Sequence, residues 1–474
     1  MELTAAAPPA PDPDPAGAVP RRRLEALCDP GSFRAIRSGA LSARAGSAAA
    51  PGDGVVAGAG RVGGRPVFCY SEDPAFMGGS LGAAHAATIV RTMELAGRAG
   101  APLVGFVESG GARLQEGHAA LAGYGRIFRA SVALSGRVPQ ISIVTGVSAG
   151  GGAYSPALTD FVLMTERARM FLTGPRIVQA ALGETVSMDD LGGPDVHGRN
   201  GVCHLVAGDE EDATRQARRL LALLPGAGDE RAPRPVGVAP GTDPSAPVPA
   251  EPRRVYDVRA VIAALVDDGD QLELSANWAR NMVTSLARLE GRPIGVIANQ
   301  PWRLGGVIDA AAAEKAALFI AACERFRLPL VVLVDTPGFM PGRRQEEAGV
   351  IRHGASLLRA FAAATVPRLT VVLRKAYGGA VITMNSKDLG ADMVFAWPGA
   401  EVGIMAAGQA VGIVHRRRLA EDGGGELLGE LTDAYRAEHL TAAAAAASGF
   451  VDEVIDPAST RDRLAWALAT MEPR

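Results

Sequence analysis

The chain has 474 residues, 48% of them hydrophobic and 21% charged, with a formal net charge of −3. This exceeds one small module, and two domains of roughly 200 residues are expected. The near-neutral balance argues against nucleic-acid or polybasic membrane binding, and no apolar run reaches the ~18 residues of a membrane span. The four cysteines, Cys28, Cys69, Cys203 and Cys323, form no C-x-x-C pair. That spacing points to neither a zinc ribbon nor a disulfide framework, and reduced thiols in a cytoplasmic protein are expected.

Residues 1–20, rich in Ala, Pro and Asp, have no periodicity and no apolar signal-peptide core, and a disordered tail is expected. Gly58, Gly60 and Gly63 spell G-x-G-x-x-G, but the strand-like RPVFCY follows where a dinucleotide fingerprint needs a helix, so a β-turn is predicted. GRPVF (Gly64–Phe68), an Ala-rich helix over Leu81–Ala87, APLVGFVESGG (Ala101–Gly111) and VPQISIVTGVSAGGGA (Val138–Ala153) come next. The Val/Ile/Leu runs ending in Gly clusters read as buried strands. Between Pro225 and Pro252 lie eight prolines, which helix and sheet interiors exclude, so residues 225–254 are read as a linker.

Beyond it the pattern repeats. GRPIG (Gly291–Gly295) and LPLVVLVDTPG (Leu328–Gly338) follow their counterparts at an offset of 227 residues, and VPRLTVVLRKAYGGAV (Val366–Val381) at 228. A second Ala-rich helix is expected over Ala310–Ala317. The chain is thus predicted to be α/β, with two copies of a ββα-type domain, 21–224 and 255–474.

The chemistry is expected at Gly150-Gly151-Gly152 and Gly378-Gly379-Ala380. Each cluster follows a buried strand and opens a helix, where unpaired amides carry the positive end of the helix dipole. Two such N–H groups can hold a carbonyl oxygen as it becomes anionic. For one copy alone, a tight turn without a ligand is the simpler reading; the duplication favours a reaction with two developing enolates. The seven histidines show no metal-ligand spacing and no P-loop occurs; Ser109 lies in no G-x-S-x-G, and although Gly146–Gly150 matches those letters around Ser148, neither serine is read as a nucleophile elbow.

ESGGARLQEG (Glu108–Gly117), AGGGAYSPALTDF (Ala149–Phe161), FLTGP (Phe171–Pro175), GVIANQP (Gly295–Pro301), DTPGFMPG (Asp335–Gly342), RKAYGGA (Arg374–Ala380) and SKDLGAD (Ser386–Asp392) carry a resemblance. From about Arg21 to Asp456 the sequence resembles the carboxyltransferase (β) subunits of biotin-dependent acyl-CoA carboxylases of the propionyl-CoA and acetyl-CoA type. The resemblance implies two tandem crotonase-like (ClpP/crotonase) ββα superhelix domains, with active sites between neighbouring subunits of a homo-oligomer, usually a hexamer. It implies transfer of CO₂ from carboxybiotin, carried on a separate protein, to the α-carbon of a short-chain acyl-CoA. A separate biotin carboxylase and biotin carrier (α) subunit would be the partner. The N-terminal cluster would hold the acyl-CoA carbonyl and the C-terminal one the biotin ureido oxygen. Gly110, Gly111, Ala112, Arg113, Tyr154 and Ile382 would line the CoA and acyl side. Arg113 could instead pair with Glu116 three residues on, and Ile382 could be plain helix packing. No metal is implied.

Three departures stand out. Gln409 and Gly412 replace the Gly and Asn usual after W-P-x-A, and Asn385 stands where Gly is usual. Gln lacks glycine's access to positive φ, so a different local backbone is expected at Gln409. A decarboxylase of a 2-carboxyacyl-CoA or β-keto acid on the same fold is the principal alternative. A hydratase or isomerase would need a carboxylate near the first cluster, for which Glu108 is the candidate, and a non-catalytic assembly partner would bind no CoA.

Overall fold

The computed structural model describes residues 17–42, 49–224, 237–421 and 425–471. They divide into two compact units: residues up to Val196 with Val206–Leu221, and His197–Leu205 with Ala222 onwards. Two expected boundaries differ. Most of the N-terminal tail, and residues 225–236 of the linker, lie outside the described residues. Residues 18–20, placed in the tail, instead open the helix Ala18–Leu27, which buries Pro20, Arg23, Leu24 and Leu27. The short excursion His197–Leu205 belongs with the second unit: Ser275 N donates to His204 O at 2.8 Å, and the Trp278 ring packs against Gly201 so closely that a Cβ there would lie 2.6 Å from it. Residues 237–254 contain no helix or strand, as their prolines dictate, yet Val248 packs on the second core.

Each unit is built on one sheet, and the two sheets share one strand order. In the first, Arg34–Ile36, Val55–Val62 and Arg65–Glu72 pair antiparallel. Leu103–Ser109, Gln140–Ala149 and Phe161–Thr165 then add in parallel, with Leu205–Ala207 at the edge. In the second, Gln271–Glu273, Met282–Leu289, Arg292–Asn299, Leu330–Thr336, Arg368–Tyr377, Met393–Ala396 and Glu453–Val454 follow the same plan. The duplication extends to register: Phe68 pairs with Leu103, and Gly295 with Leu330. The central parallel strands are apolar on both faces because helices cover them; every residue of Leu330–Thr336 is buried.

The Ala-rich helices are Ala83–Ala99 and Ala310–Arg325. Fully buried alanines such as Ala86, Ala96, Ala312 and Ala316 let them approach their neighbours closely. Asp309 caps the second, accepting from Ala312 N at 2.8 Å. The first is capped from a distance, by Glu116 Oε2 accepting from Ala83 N at 2.8 Å. The G-x-G-x-x-G segment is a turn only in part. Gly63 sits in the hairpin with φ +57, but Gly58 and Gly60 lie inside Val55–Val62. Their missing side chains admit the backbone of Arg34 and the thiol of Cys28, which a Cβ would meet at 2.1 and 2.5 Å.

Candidate active site

In each unit the central parallel strand leads through one glycine into a short helix. Gln140–Ala149 runs through Gly150 (φ 58, ψ −122) into Gly151–Ala157. Arg368–Tyr377 runs through Gly378 (φ 63, ψ −148) into Gly379–Thr383. Positive φ with strongly negative ψ is open to glycine and closed to other residues, which explains the invariant first letter of the two clusters. These hinge glycines are not themselves free donors, which corrects one detail of the expectation. Gly150 N donates to Phe171 O at 3.1 Å, and Gly378 N to Gly403 O at 2.9 Å. The available pairs are the first-turn amides of Gly151 and Gly152, and of Gly379 and Ala380. Among the described residues none of the four has an acceptor.

The surroundings of the two turns differ. A Cβ on Gly151 would lie 2.7 Å from the Tyr124 ring, and one on Gly152 would lie 3.0 Å from Ser109 Cβ and Ser148 Oγ. Tyr124 is held by a hydrogen bond of 3.1 Å between its hydroxyl and Ser109 Oγ, which itself donates to Gly79 O at 2.9 Å. At Gly379 nothing lies within 4 Å of the Cβ position. In the matching helix Val350–Ala363 the buried positions of His118–Leu134 recur 230 residues on, which puts Gly354, with no side chain, where Tyr124 stands.

The other expected site residues fall into two groups. Gly110, Gly111 and Ala112 lie beside the first turn: a Cβ on Gly111 (φ 95) would sit 3.5 Å from Ala149 O. Ala112 bridges to Leu81 as Phe339 does to Ile308 in the second unit. Tyr154 and Ile382 each lie four residues past their hinge glycine, at matched positions, and both are open, 51% and 49% exposed. Tyr154 makes an edge contact with Phe128, centroids 6.1 Å apart.

Arg113 does not join them, a correction to its assignment to CoA. Its side chain is fully enclosed. Nη1 meets Asp53 Oδ1 at 2.5 Å and Glu116 Oε1 at 2.8 Å. Nη2 donates to Asp53 O and Ser80 O at 3.3 and 2.9 Å. The same carboxylates receive the amides of His85 and Ala83, so this cluster fixes the start of Ala83–Ala99. The pairing with Glu116 is present, but within the core.

Glu108 is not a free base either. Its Oε2 accepts from Arg23 Nη2 at 3.0 Å and from Thr145 Oγ1 at 3.1 Å. Its amide donates to Glu72 Oε2 at 2.8 Å. Burial pushes the Glu72 carboxyl up to about 8, and His85, 3.8 Å away, is pushed down to about 3 by burial and by Arg113. In the second unit Asp335 occupies the Glu108 position, held by Arg374 Nε at 3.1 Å and Lys375 Nζ at 3.2 Å.

The departures are accommodated locally. Asn385 takes φ 62, which Asn tolerates better than most residues, and its Nδ2 donates to Thr370 Oγ1 at 2.9 Å. Gln409 and Gly412 lie in the regular helix Ala407–Val414, so Gln409 needs no glycine conformation. Sequence reasoning missed Tyr124, Ser109, Tyr377 and Glu401 as props of the two turns. Ser109 and Tyr377 sit inside quoted motifs and Tyr124 near one, but nothing in their spacing, or in that of Glu401, signals these contacts.

Among the described residues no group of His, Cys, Asp and Glu is placed to hold a metal ion, and no helix is long and apolar enough to cross a membrane. Residues 15–473 match the carboxyl transferase domain family. The biotin-dependent acetyl-/propionyl-coenzyme A carboxylase beta6 subunit of Mycobacterium tuberculosis is 48% identical over 427 residues, 89% of this chain and 90% of that one. The methylmalonyl-CoA decarboxylase subunit alpha of Veillonella parvula is 44% identical over 430 residues, 89% of this chain and 82% of that one. A crystal structure of the transcarboxylase 12S hexamer with methylmalonyl-coenzyme A and methylmalonic acid bound superposes with a TM-score of 0.91 at 45% identity, covering 96% of this chain and 90% of that one. The fold is therefore two tandem crotonase-like domains, and the chain belongs to the carboxyl transferase domain family, as an enzyme of the propionyl-/acetyl-CoA carboxylase type.

Proposed function

We propose that this chain moves a carboxyl group between carboxybiotin and the α-carbon of a short-chain acyl-CoA, with one turn serving each partner. The observation that carries this is the pair of repeat-matched turns, each presenting two unpaired amides from a glycine-hinged helix start. Carboxybiotin, brought by a separate carrier chain, supplies the activated carboxyl group and, once that is released, a ureido nitrogen able to take the α-proton. The chain's own contribution is to bind, align and stabilise charge. The Gly151 and Gly152 amides hold the thioester oxygen as it gains enolate character. The Gly379 and Ala380 amides do the same for the ureido oxygen. The first compact unit would thus form the acyl-CoA side and the second the biotin side.

The residues fit these ligands. The closed, Tyr124-backed turn suits a thioester oxygen, while the open surroundings of Gly379 leave space for a bicyclic ureido ring. No unpaired carboxylate is needed at the first turn, and Glu108 is occupied. Gly110, Gly111, Ala112 and Tyr154 would flank the CoA thioester, and an apolar Ile382 suits propionyl or butyryl chains over acetyl. The assembly would be a cytoplasmic homohexamer joined to a biotin-bearing α-subunit.

The test is incorporation of labelled bicarbonate into acetyl-, propionyl- and butyryl-CoA by the chain mixed with a biotinylated α-subunit and ATP. Gly379→Pro is a specific control: proline is tolerated at a first helical position and removes only the N–H. It should cost on the order of 10²–10³ in rate, the usual cost of one oxyanion donor. Full activity in Gly379→Pro would refute the second hole. The decarboxylase relative keeps a second reading open on the same site. CO₂ release from methylmalonyl-CoA with no bicarbonate incorporation would favour it.

A further inference from the structure

The second turn is braced by a side-chain network built on Tyr377 and Glu401. Tyr377 is the last residue of Arg368–Tyr377 and precedes the hinge Gly378. Its hydroxyl donates to Glu401 Oε2. Glu401 opens the strand Glu401–Gly403, and its Oε1 accepts from Arg436 Nε at 3.0 Å. Arg436, on the helix Gly425–His439, is itself aligned by Asp433, Nη1 to Oδ1 at 2.7 Å. The backbone beneath runs in the same direction: Lys375 pairs with Glu401 and Tyr377 with Gly403, and Gly403 O takes the Gly378 amide. On its other side Val402 N donates to Leu440 O at 2.8 Å. In the first unit the residue matching Tyr377 is Ala149, which has no hydroxyl to offer; Arg169, in the place of Glu401, pairs instead with Asp189, so the strand whose Phe171 O receives the Gly150 amide is not tied by a side chain to the residue before the hinge.

We infer that Glu401, through Tyr377 and Arg436, is a positioning residue that fixes the Gly378 hinge and so the aim of the Gly379 and Ala380 amides. The reasoning is mechanical. The strand Glu401–Gly403 is three residues long, too short for its ladder alone to hold register firmly, and the hinge hangs from its last carbonyl. The phenol–carboxylate bond pins the first residue of that strand to the last residue of the hole strand, directly across the ladder from Gly403. A charge-assisted hydrogen bond is among the stronger single contacts available, and Arg436 spares Glu401 from carrying an unpaired, half-buried charge. The first turn needs no such brace because the Tyr124 ring closes it from below.

The assignment to the biotin side rests on the function proposed above, and the test keeps the two apart. Full-length wild type, Tyr377→Phe, Glu401→Leu and Glu401→Gln would be compared in two measurements. The first is amide hydrogen exchange of peptides spanning 378–384 and 150–157. Exchange at 378–384 should accelerate about ten-fold in Tyr377→Phe and Glu401→Leu, as loss of one such bond implies. The 150–157 peptide should not change, and Glu401→Gln, which still accepts from Tyr377, should stay near wild type. Unchanged exchange at 378–384, or equal acceleration of both peptides, overturns the inference. The second is carboxyl transfer from methylmalonyl-CoA to free biotin. The KM for biotin should rise about ten-fold in Tyr377→Phe while the KM for methylmalonyl-CoA stays within about two-fold. A rise in the methylmalonyl-CoA KM alone overturns the assignment. Failure of the wild type to use biotin sinks the proposed function, and the exchange result still decides the brace.

Discussion

One substitution placed at two matched positions separates the two turns. Gly151→Ala and Gly379→Ala each add a methyl at the first residue of a short helix that follows a hinge glycine. Neither position has positive φ, so backbone strain cancels and packing decides. At Gly151 the new Cβ would stand 2.7 Å from Tyr124 Cγ and Cδ2 and 2.8 Å from Cδ1, against the face of the ring. The ring cannot swing away cheaply: its hydroxyl is bonded to Ser109, and Phe128 packs beside it with centroids 5.8 Å apart. Overpacking of this kind costs about 1–3 kcal/mol. At Gly379 no atom lies within 4 Å, and alanine gains about 0.5–1 kcal/mol over glycine at a helical position. That gain applies at both positions and cancels, so the two variants should differ by the packing cost, about 1–3 kcal/mol, which at ~3 °C per kcal/mol for a unit of ~200 residues places their unfolding midpoints about 3–9 °C apart. Differential scanning calorimetry or urea denaturation reads this directly. Adding Tyr124→Leu to Gly151→Ala should recover part of the loss, giving a coupling term in a double-mutant cycle. Equal midpoints for the two alanine variants, or no coupling with Tyr124, would refute the claim that the ring closes the first turn.

Other consequences are testable in the same way. Glu72 is held neutral by burial, its folded pKa near 8 standing above the ~4.3 of an exposed glutamate. Its contribution to stability is complete below pH 4 and drains away as pH rises towards 8, because the unfolded chain ionises first. Glu72→Gln still accepts from Glu108 N, so it should gain on wild type by up to about 4 kcal/mol between pH 4.5 and 8; parallel pH profiles in denaturant titrations would exclude this. Arg113→Met leaves Asp53 and Glu116 buried without their cation and should cost about 3–5 kcal/mol, partly recovered by Asp53→Asn. A stable Arg113→Met with a raised KM for acyl-CoA would instead restore the CoA-phosphate role. Lys315 donates to the carbonyls of Ser275, Trp278 and Met282 at 3.0, 3.0 and 2.7 Å. Lys315→Met should destabilise by about 3 kcal/mol and speed hydrogen exchange across residues 275–282; protection equal to wild type would contradict a clamp.

Why some of this was legible in the sequence and some not follows from the kind of contact involved. The strands announced themselves because a strand covered on both faces is apolar on both, as the run Leu330–Val334 of the wholly buried Leu330–Thr336 is. The duplication was legible because hinge glycines cannot be replaced: Gly150 and Gly378 hold φ of 58 and 63 in a region closed to other residues. Arg113 was misplaced because its decisive partner, Asp53, lies 60 residues upstream, while the neighbour that sequence spacing could see, Glu116, shares the same buried cluster. His197–Leu205 went to the wrong half because the Gly201–Trp278 contact has no local signature.

The division of labour between backbone and side chain explains why two copies of one turn could diverge without losing their chemistry. The groups assigned to charge stabilisation are N–H groups, which every residue but proline possesses. Selection on the reaction therefore constrains φ and ψ at the hinge more tightly than it constrains side chains around it. Glu108 and Asp335 stand at the same place at the end of matched strands, yet one is tied to Arg23 and Thr145 and the other to Arg374 and Lys375. Glu72 and Asn299 likewise match, and each accepts the amide of the acid that follows, Glu108 and Asp335. The Glu72 carboxyl, neutral below pH 8, is in effect an amide's substitute. Tyr124 closes one turn from beneath, and Tyr377 with Glu401 braces the other from the side. A closed turn fits a small thioester oxygen and an open, laterally braced one fits a bulky ring. On the function proposed above, the asymmetry of the supports is what would let a duplicated backbone hold two different partners.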